Sequence, residues 1–389
     1  MSEWQEVSLD SVAQINPTES LPKGTLAKKI AMDALQPFTK RPSSFEVEPY
    51  NGGMKFKNGD TIVARITPCL ENGKTAYIDL LDANEVAYGS TEYIVLREKL
   101  GVTDKQFLYY FSISPIFRDV AIASMTGSSG RQRVQTDVVK KHVFEMPSLE
   151  EQKAIASVLS SLDDKIDLLH RQNTTLERMA ETLFRQWFVE EAQDEECTLD
   201  ELITVKGGTT PSTKEPNFWN GNVNWTSPRD LSNQQSVFMF DTERKITEKG
   251  LAQIGSGLLP VGTVLMSSRA PIGYLAISDI PVAINQGYIA IVCDKLVSNY
   301  FMYLWCKVNM EQIRNAGNGS TFEEISKSNF KALVTLKPSK EAVLKFGTSA
   351  EPIFAKIKTN QKQIQTLEKL RDNLLPKLMS GEVRVGATG

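Results

Sequence analysis

The sequence is poor in the residues that most enzymes use for chemistry. It has two histidines, His142 and His170, and four scattered cysteines, Cys69, Cys197, Cys293 and Cys306, with no C-x-x-C pair among them. A histidine-dependent triad or a zinc cluster is therefore remote, and isolated reduced thiols suit a cytoplasmic setting. No two prolines are adjacent, so the Asn/Asp-Pro-Pro-aromatic motif of an adenine methyltransferase is missing. There is no G-x-x-x-x-G-K-[ST] loop for ATP, and Gly255-Ser-Gly257 lacks the third glycine of a dinucleotide fingerprint. Glu151-Gln-Lys153 imitates a nuclease E-x-K pair, but it lies where a helix is expected to begin and has no supporting aspartate. No run of about 18 apolar residues exists to span a bilayer, and Met1-Ser2-Glu3-Trp4 opens acidic where a signal peptide opens basic. The expected location is the cytoplasm, away from membranes. A positive charge excess is also missing: the formal net charge is −3, so any contact with a polyanion must be local.

What is present is an ordinary globular composition, 41% hydrophobic and 23% charged over 389 residues, enough for two domains plus connecting elements. An internal repeat organises it. Blocks starting at Pro147-Ser148 and Pro338-Ser339 align without a gap, matching Lys165-Ile166 to Lys356-Ile357, Gln172 to Gln363, Leu176-Glu177 to Leu367-Glu368 and Leu183 to Leu374. Upstream the repeat weakens. GDTIVARITP (59–68) resembles GTVLMSSRAP (262–271), each a β-rich run closing on proline, Gly73-Lys-Thr-Ala76 echoes Gly273-Tyr-Leu-Ala276, and the glycine loop TGSSGRQR (126–133) recurs as NAGNGSTFE (315–323). The pattern is globule (1–147), helix (148–190), globule (191–338), helix (339–389).

Both helical blocks carry a coiled-coil seam of alternating three- and four-residue steps. In the first it runs Leu159, Leu162, Ile166, Leu169, Asn173, Leu176, Ala180, Leu183, Trp187; in the second, Ala350, Ile353, Ile357, Asn360, Ile364, Leu367, Arg371, Leu374, Leu378. The first block is acidic and the second basic, which favours mutual pairing over self-association. Asn173 and Asn360 occupy the same repeat position and are expected to face each other and set register. Ser148 and Glu151 form an S-x-x-E capping box, and Pro376 is expected to kink or end the second helix near that point. The first helix would be roughly 60 Å long at 1.5 Å per residue, while the connector 190–198 can stretch to about 30 Å. The helices must then run antiparallel, giving an α+β dumbbell with pseudo-two-fold symmetry. Like heads so arranged have the geometry of a dimeric DNA reader, whose half-sites lie roughly 34 to 36 Å apart.

Several motifs together resemble the specificity subunit of a Type I restriction-modification system. They are Trp4-x-x-Val7-x-Leu9 leading into Val12, Ser129-Gly-Arg-Gln-Arg-Val134 running to Pro147-x-Leu149-Glu-Glu-Gln152-Lys-Ala-Ile155, Gly208-Thr-Thr-Pro-Ser212 with Trp225-Thr226 and Asp230-Leu231, and Leu374-Leu-Pro-Lys-Leu-Met-Ser-Gly-Glu-Val383. The resemblance implies a target-recognition domain in each globule and two methyltransferase subunits docked along the helices. It places S-adenosylmethionine, ATP and Mg on partner subunits, the methyltransferases and a restriction/translocase subunit, with none bound by this chain. The chain itself would be non-catalytic and would bind double-stranded DNA. Two alternatives are a scaffold whose heads bind protein, and the specificity subunit of a modification-only system.

Polar loops rich in arginine, lysine, glutamine and serine are the natural candidates for DNA contact. The strongest is Ser128, Ser129, Gly130, Arg131, Gln132, Arg133; in the same head Lys23, Lys28, Lys29, Lys40 and Arg41 cluster in a proline-bounded region. In the second head the candidates are Thr209, Thr210, Ser212, Lys214, Arg229, Arg269, Asn318 and Ser320, with Trp219 and Trp225 read as core or turn anchors in preference to base stackers. Because the heads differ, each is expected to read a different half of an asymmetric split target. Exchanging residues 1–147 for another head should change one half of the recognised motif, as mapped by methylation; a change in both halves, or in neither, contradicts independent reading.

Overall fold

The computed structural model describes residues 3–190, 195–232, 236–269, 271–317 and 323–385. Its contacts divide the chain into two compact units, Met1–Asp167 with Gln365–Gly389, and Leu168–Ile364. The division cuts through both helical blocks, whereas the boundaries 147/148, 190/191 and 338/339 follow the sequence repeat. Each unit therefore owns one end of each long helix.

In the first unit two sheets are built before the first long helix. One is antiparallel, ordered Ala13–Ile15, Tyr93–Glu98, Thr61–Ala64, Thr75–Tyr77. The other is ordered Glu46–Pro49, Leu26–Ile30, Ala87–Gly89, Met54–Phe56, with the two central strands parallel. Gln5–Ser8 pairs with Val143–Met146 in a separate ribbon. The strand Tyr93–Glu98 is apolar on both faces because each meets a core. Tyr93 and Val95 join Ile30, Phe56 and Ile62 on one side, while Ile94 and Leu96 join Leu108, Ile155 and Leu378 on the other.

The second unit repeats this plan. Its larger sheet is ordered Thr204–Lys206, Tyr288–Val292, Val264–Ser267, Leu275–Ser278, Phe238–Met239. Its smaller sheet is ordered Arg244–Ile246, Trp219–Thr226, Ala283–Ile284, the last pair again parallel, and Glu196–Thr198 pairs with Val334–Leu336. Tyr288–Val292 is likewise buried on both faces: Ile289 and Ile291 pack with Phe301 and Phe346, Tyr288 and Ala290 with Leu265 and Ile284. The strands pair mostly antiparallel and the long helices follow the strands of each head, so the class is α+β.

The first long helix is Leu149–Arg185 and the second Lys340–Met379, 37 and 40 residues. In the first unit Ile155, Ala156 and Leu159 at the start of one share a core with Leu375, Leu378 and Met379 at the end of the other. In the second unit Ala180 and Phe184 near the end of the first helix pack with Phe346, Ala350, Phe354 and Ile357 near the start of the second. Within each unit the helices are antiparallel.

Of three details, two differ from the sequence expectation. The capping box is half formed: Ser148 Oγ accepts from the Glu151 amide at 3.4 Å, but the Glu151 carboxylate turns to Arg384 Nη2 at 2.7 Å and Trp4 Nε1 at 3.2 Å. The second helix ends at Met379, close to Pro376 as expected, and its last turn buries Leu375, Leu378 and Met379 in the first core. The buried stripe also drifts from a strict coiled-coil seam. Leu159, Ile166, Leu169, Ile357, Ile364 and Leu378 are buried, but Leu162, Leu176, Leu183, Trp187, Ile353, Leu367 and Leu374 are half-buried, while Asp163 and Phe184 lie fully inside. The cause is that globule and helix both press on these helices, so a broader face than a two-helix seam is covered.

Two polar contacts punctuate that face. In the first unit buried Asp163 receives Arg371 Nη1 at 2.8 Å and the Tyr110 hydroxyl at 2.7 Å. Burial disfavours the Arg371 charge, but Asp163 and Asp372 outweigh it and hold its pKa above the ordinary value. In the second unit Asn360 Nδ2 donates to Asn173 Oδ1 at 2.9 Å. There, too, Asp279 ties the sheet to the second helix, 2.5 Å from Lys358 Nζ and 2.9 Å from Lys362 Nζ. Burial raises the Asp279 carboxyl, and the two lysines more than reverse this, so it sits below the usual aspartate range.

Removing one member of the buried pair strands the other. Asp163→Ala is expected to cost about 3 kcal/mol in urea unfolding, and Asp163→Leu combined with Arg371→Met to recover most of it. For Asp279, a depressed folded-state pKa means stability that is present above the unfolded value, about 3.9, and lost as pH falls through the folded value. Asp279→Asn should therefore be less stable than the parent near neutrality, with the gap closing in melts below about pH 4; a gap independent of pH would refute the ion-pair account.

Candidate nucleic-acid interface

In the first unit the segment 126–133 folds back on itself as a hairpin. The Thr126 and Arg133 amides and carbonyls exchange bonds at 3.0 and 2.9 Å, and Arg131 N reaches Ser128 O at 3.0 Å. Gly127 and Gly130 have φ of +131° and +77°, backbone that side chains rarely adopt, so the glycines make the reversal possible. Its base is fixed to the segment that follows strand Thr61–Ala64: Thr67 N bonds Gln132 O at 3.0 Å, Val134 N bonds Arg65 O at 2.9 Å, and Val134 is buried. Arg133 is clamped by Glu92, with 2.9 and 2.7 Å bonds from Nε and Nη2 to Oε1. That hydrogen bonding, against a smaller opposing effect of burial, holds the Glu92 carboxyl below the usual range. The tip therefore presents Ser128, Ser129, Gly130 and Arg131 on a rigid base. Among the described residues none pairs with the Arg131 side chain, which is exposed.

The other cations of this head are mostly committed. Lys28 Nζ lies 2.8 Å from Glu85 and 3.5 Å from Asp82, and Lys29 Nζ lies 2.9 Å from Glu48. Arg41 bridges Asp79 at 2.9 Å, Asp164 at 3.1 Å and Asp167 at 3.4 Å. Lys40 is only 5% exposed, donates to Gln106 Oε1 at 3.1 Å, and has its pKa pushed down by burial against the opposing pull of Asp164 and Asp163. Lys40 and Arg41 thus fasten the globule to the first helix, which takes Lys40 off the surface on which the sequence reading put it. Lys23 alone of these five is exposed on a turn with no ion pair among the described residues.

The second head builds its polar edge differently. Gly208 approaches the sheet so closely that a Cβ would stand 1.8 Å from Ile284 O, and Thr209 N bonds that same oxygen at 3.0 Å. Two buried indoles brace the following loop: Trp225 Nε1 donates to Thr209 O at 3.3 Å and Trp219 Nε1 to Ser212 O at 3.0 Å. Thr210 Oγ1 bonds Gln286 Oε1 at 2.7 Å, leaving Thr209, Ser212 and Lys214 exposed on a braced loop. Arg229 is 81% exposed with Glu243 3.7 Å away, a weak pairing at most. Arg269 bridges Glu324 through backbone, as Ile66 bridges Arg133 in the first head. Asn318 and Ser320 lie outside the described residues.

One feature escaped the sequence reading. Arg244 on the edge strand of the smaller sheet lays its guanidinium 3.5 Å over the Trp219 ring and 5.5 Å from that of Trp225. Nothing in the linear order joins Arg244 to Trp219; strand pairing does.

Several of the titratable side chains singled out in the sequence have structural contacts. Glu151 holds Arg384 and Trp4, His142 stacks near Phe144 at 6.1 Å, and Cys197 and Cys306 are buried thiols whose pKa burial raises. Among the described residues there is no group of three or more His, Cys, Asp or Glu placed to hold a metal, and no helix is long and apolar enough to cross a membrane.

Comparison with known proteins agrees with this duplicated plan. The chain is 36% identical over 188 residues to the Type I restriction enzyme MjaIX specificity subunit of Methanocaldococcus jannaschii, a match spanning 48% of this chain and 42% of that protein. It is 22% identical to the HindI specificity subunit of Haemophilus influenzae over 98% of this chain and all of that one. The crystal structure of a Type I restriction-modification system S subunit from M. genitalium has the same fold, with a TM-score of 0.58 at 18% identity, covering 97% of this chain and 96% of the other. The sequence model of the Type I restriction modification DNA specificity domain matches twice, at residues 1–178 and 193–369, each match taking in one head and most of the helical block after it, and the chain belongs to that family.

Proposed function

We propose that this chain is the non-catalytic, DNA-reading subunit of a cytoplasmic Type I restriction-modification complex, each head recognising one half of an asymmetric split target. The observation that carries this reading is the braced hairpin 126–133, which offers Arg131, Ser128 and Ser129 as uncommitted donors on a fixed backbone. A rigid polar projection of that kind suits a groove, where arginine and serine can meet base edges and phosphates. In the second head the braced loop carrying Thr209, Ser212 and Lys214 offers the same kind of edge. Lys28, Lys29 and Arg41 are excluded from the proposed contact set because carboxylates already neutralise them.

Catalysis is assigned to partners. Two methyltransferase subunits would bring S-adenosylmethionine, and a restriction/translocase subunit would bring ATP and Mg. Outward faces of the long helices are the proposed docking surface for the methyltransferases, since the inward faces are filled by the cores.

Co-expression with the cognate methyltransferase subunit should deposit N6-methyladenine in a two-part asymmetric motif, mapped by single-molecule sequencing of host DNA. No methylated motif, together with heads that capture a protein, would favour the scaffold alternative. Arg131→Ala should weaken binding of the cognate duplex roughly tenfold without shifting the melting temperature, as its side chain supports no described contact; wild-type affinity would remove the hairpin from the interface.

A further inference from the structure

We infer that Arg244 is a specificity-determining residue of the second head, reading a guanine in the major groove of its half-site. The inference rests on the proposed DNA-reading role and names a residue that neither the motifs nor the charge clusters of the sequence single out.

Arg244 is exposed, and among the described residues its guanidinium has no carboxylate or carbonyl partner. It is nevertheless not a loose surface arginine, because it rests flat against a buried indole, 3.5 Å from the Trp219 ring centroid, with Trp225 at 5.5 Å completing the corner. The two tryptophans meet edge to face at 5.1 Å and are themselves pinned through their ring nitrogens to Ser212 O and Thr209 O. One pair of aromatic rings therefore fixes both the exposed loop 209–214 and the direction of the arginine beside it. A planar fork of five donors, held in place yet unsatisfied, suits a bidentate contact to guanine O6 and N7; a phosphate would meet the same fork, and only the guanine contact depends on N7.

Comparison with the first head sharpens the point. In the first head's sheet that holds Leu26–Ile30, and in the smaller sheet of the second head, one strand pairs antiparallel with an edge strand on one side and parallel with a short strand on the other. Trp225 stands opposite Arg244 and beside Ala283; Lys29 stands opposite Glu46 and beside Tyr88. At the position of Arg244 the first head thus has an acid, and Lys29 lies 3.8 Å from Glu46 and 2.9 Å from Glu48. The same edge is closed by internal ion pairs in one head and left with an open donor fork in the other. The neighbouring Lys245 is paired with Asp241 at 3.1 Å, while Arg244 has no ion pair among the described residues.

The test uses the chain in complex with its methyltransferase subunit, on duplexes carrying the methylated motif. Each guanine in the second head's half-site is replaced in turn by 7-deazaguanine, which lacks the N7 acceptor. One position should weaken wild-type binding about tenfold, and Arg244→Ala and Arg244→Lys should each lose a similar factor on the natural duplex while becoming indifferent to that replacement. The first half-site should be read unchanged. Arg244→Lys binding as tightly and as selectively as wild type would overturn the inference, and so would a wild-type complex indifferent to every 7-deazaguanine, a readout that stands even if both variants misfold. A wild-type complex that prefers no duplex at all would instead sink the DNA-reading proposal itself.

Discussion

Neither head closes its apolar core alone, and the rest of the molecule depends on that. The first core borrows Ile155, Ala156 and Leu159 from the beginning of one long helix and Leu375, Leu378 and Met379 from the end of the other; the second borrows Ala180 and Phe184, then Phe346, Ala350 and Phe354. At about 25 cal/mol per Å² of apolar surface, leaving such side chains in water would cost several kcal/mol per unit, comparable with a domain's whole stability. A head is therefore committed to one end of each helix. The contact division at Asp167/Leu168 and Ile364/Gln365, in mid-helix, is the direct mark of this.

The commitment also explains where the charge goes. The helix surfaces under each globule carry carboxylates in the first helix and cations in the second, and the globules answer with the opposite sign: Lys40 and Arg41 toward Asp164, Lys307 toward Glu177, Asp279 toward Lys358 and Lys362. Partly buried pairs of this kind contribute modestly to stability but fix orientation, because a misplaced globule leaves several charges unpaired at once. Lysines and arginines used this way are not available to a polyanion, so a census of basic residues by sequence cluster overstates the surface that DNA could meet.

That is also where legibility in the sequence ends. The helical blocks, the duplicated heads and their α+β class follow from periodicity and from the repeat, signals that run over dozens of residues. The drift of the seam at Asp163 and Phe184 does not, because it depends on what each globule lays against the helix, and hydrophobic spacing along one strand of sequence cannot report a partner far away in the chain. The hairpin 126–133 was visible as a glycine-punctuated polar loop, since its turn chemistry is local. Lys40 was misread for the opposite reason: its burial depends on Gln106 and Asp164, more than sixty and more than a hundred residues on. Arg244 was invisible because a single arginine among polar neighbours acquires meaning only once strand pairing sets it on Trp219.

A net negative charge is then no argument against a DNA-reading role, and on the proposed reading it is part of how selectivity is obtained. Non-specific affinity scales with the number of phosphates neutralised, so a surface studded with free lysines would bind every duplex well and leave little room for discrimination. A chain that ties cations such as Lys28, Lys29, Lys40 and Arg41 into internal ion pairs forgoes part of that background attraction. Among the donors left open, Arg131 projects from a tip whose backbone is fixed and Arg244 is stacked on an indole, so the arginine on the indole loses less conformational freedom when it meets its acceptors. Few contacts, rigidly presented against a weak background, favour the ratio between right and wrong sites over the strength of binding to either.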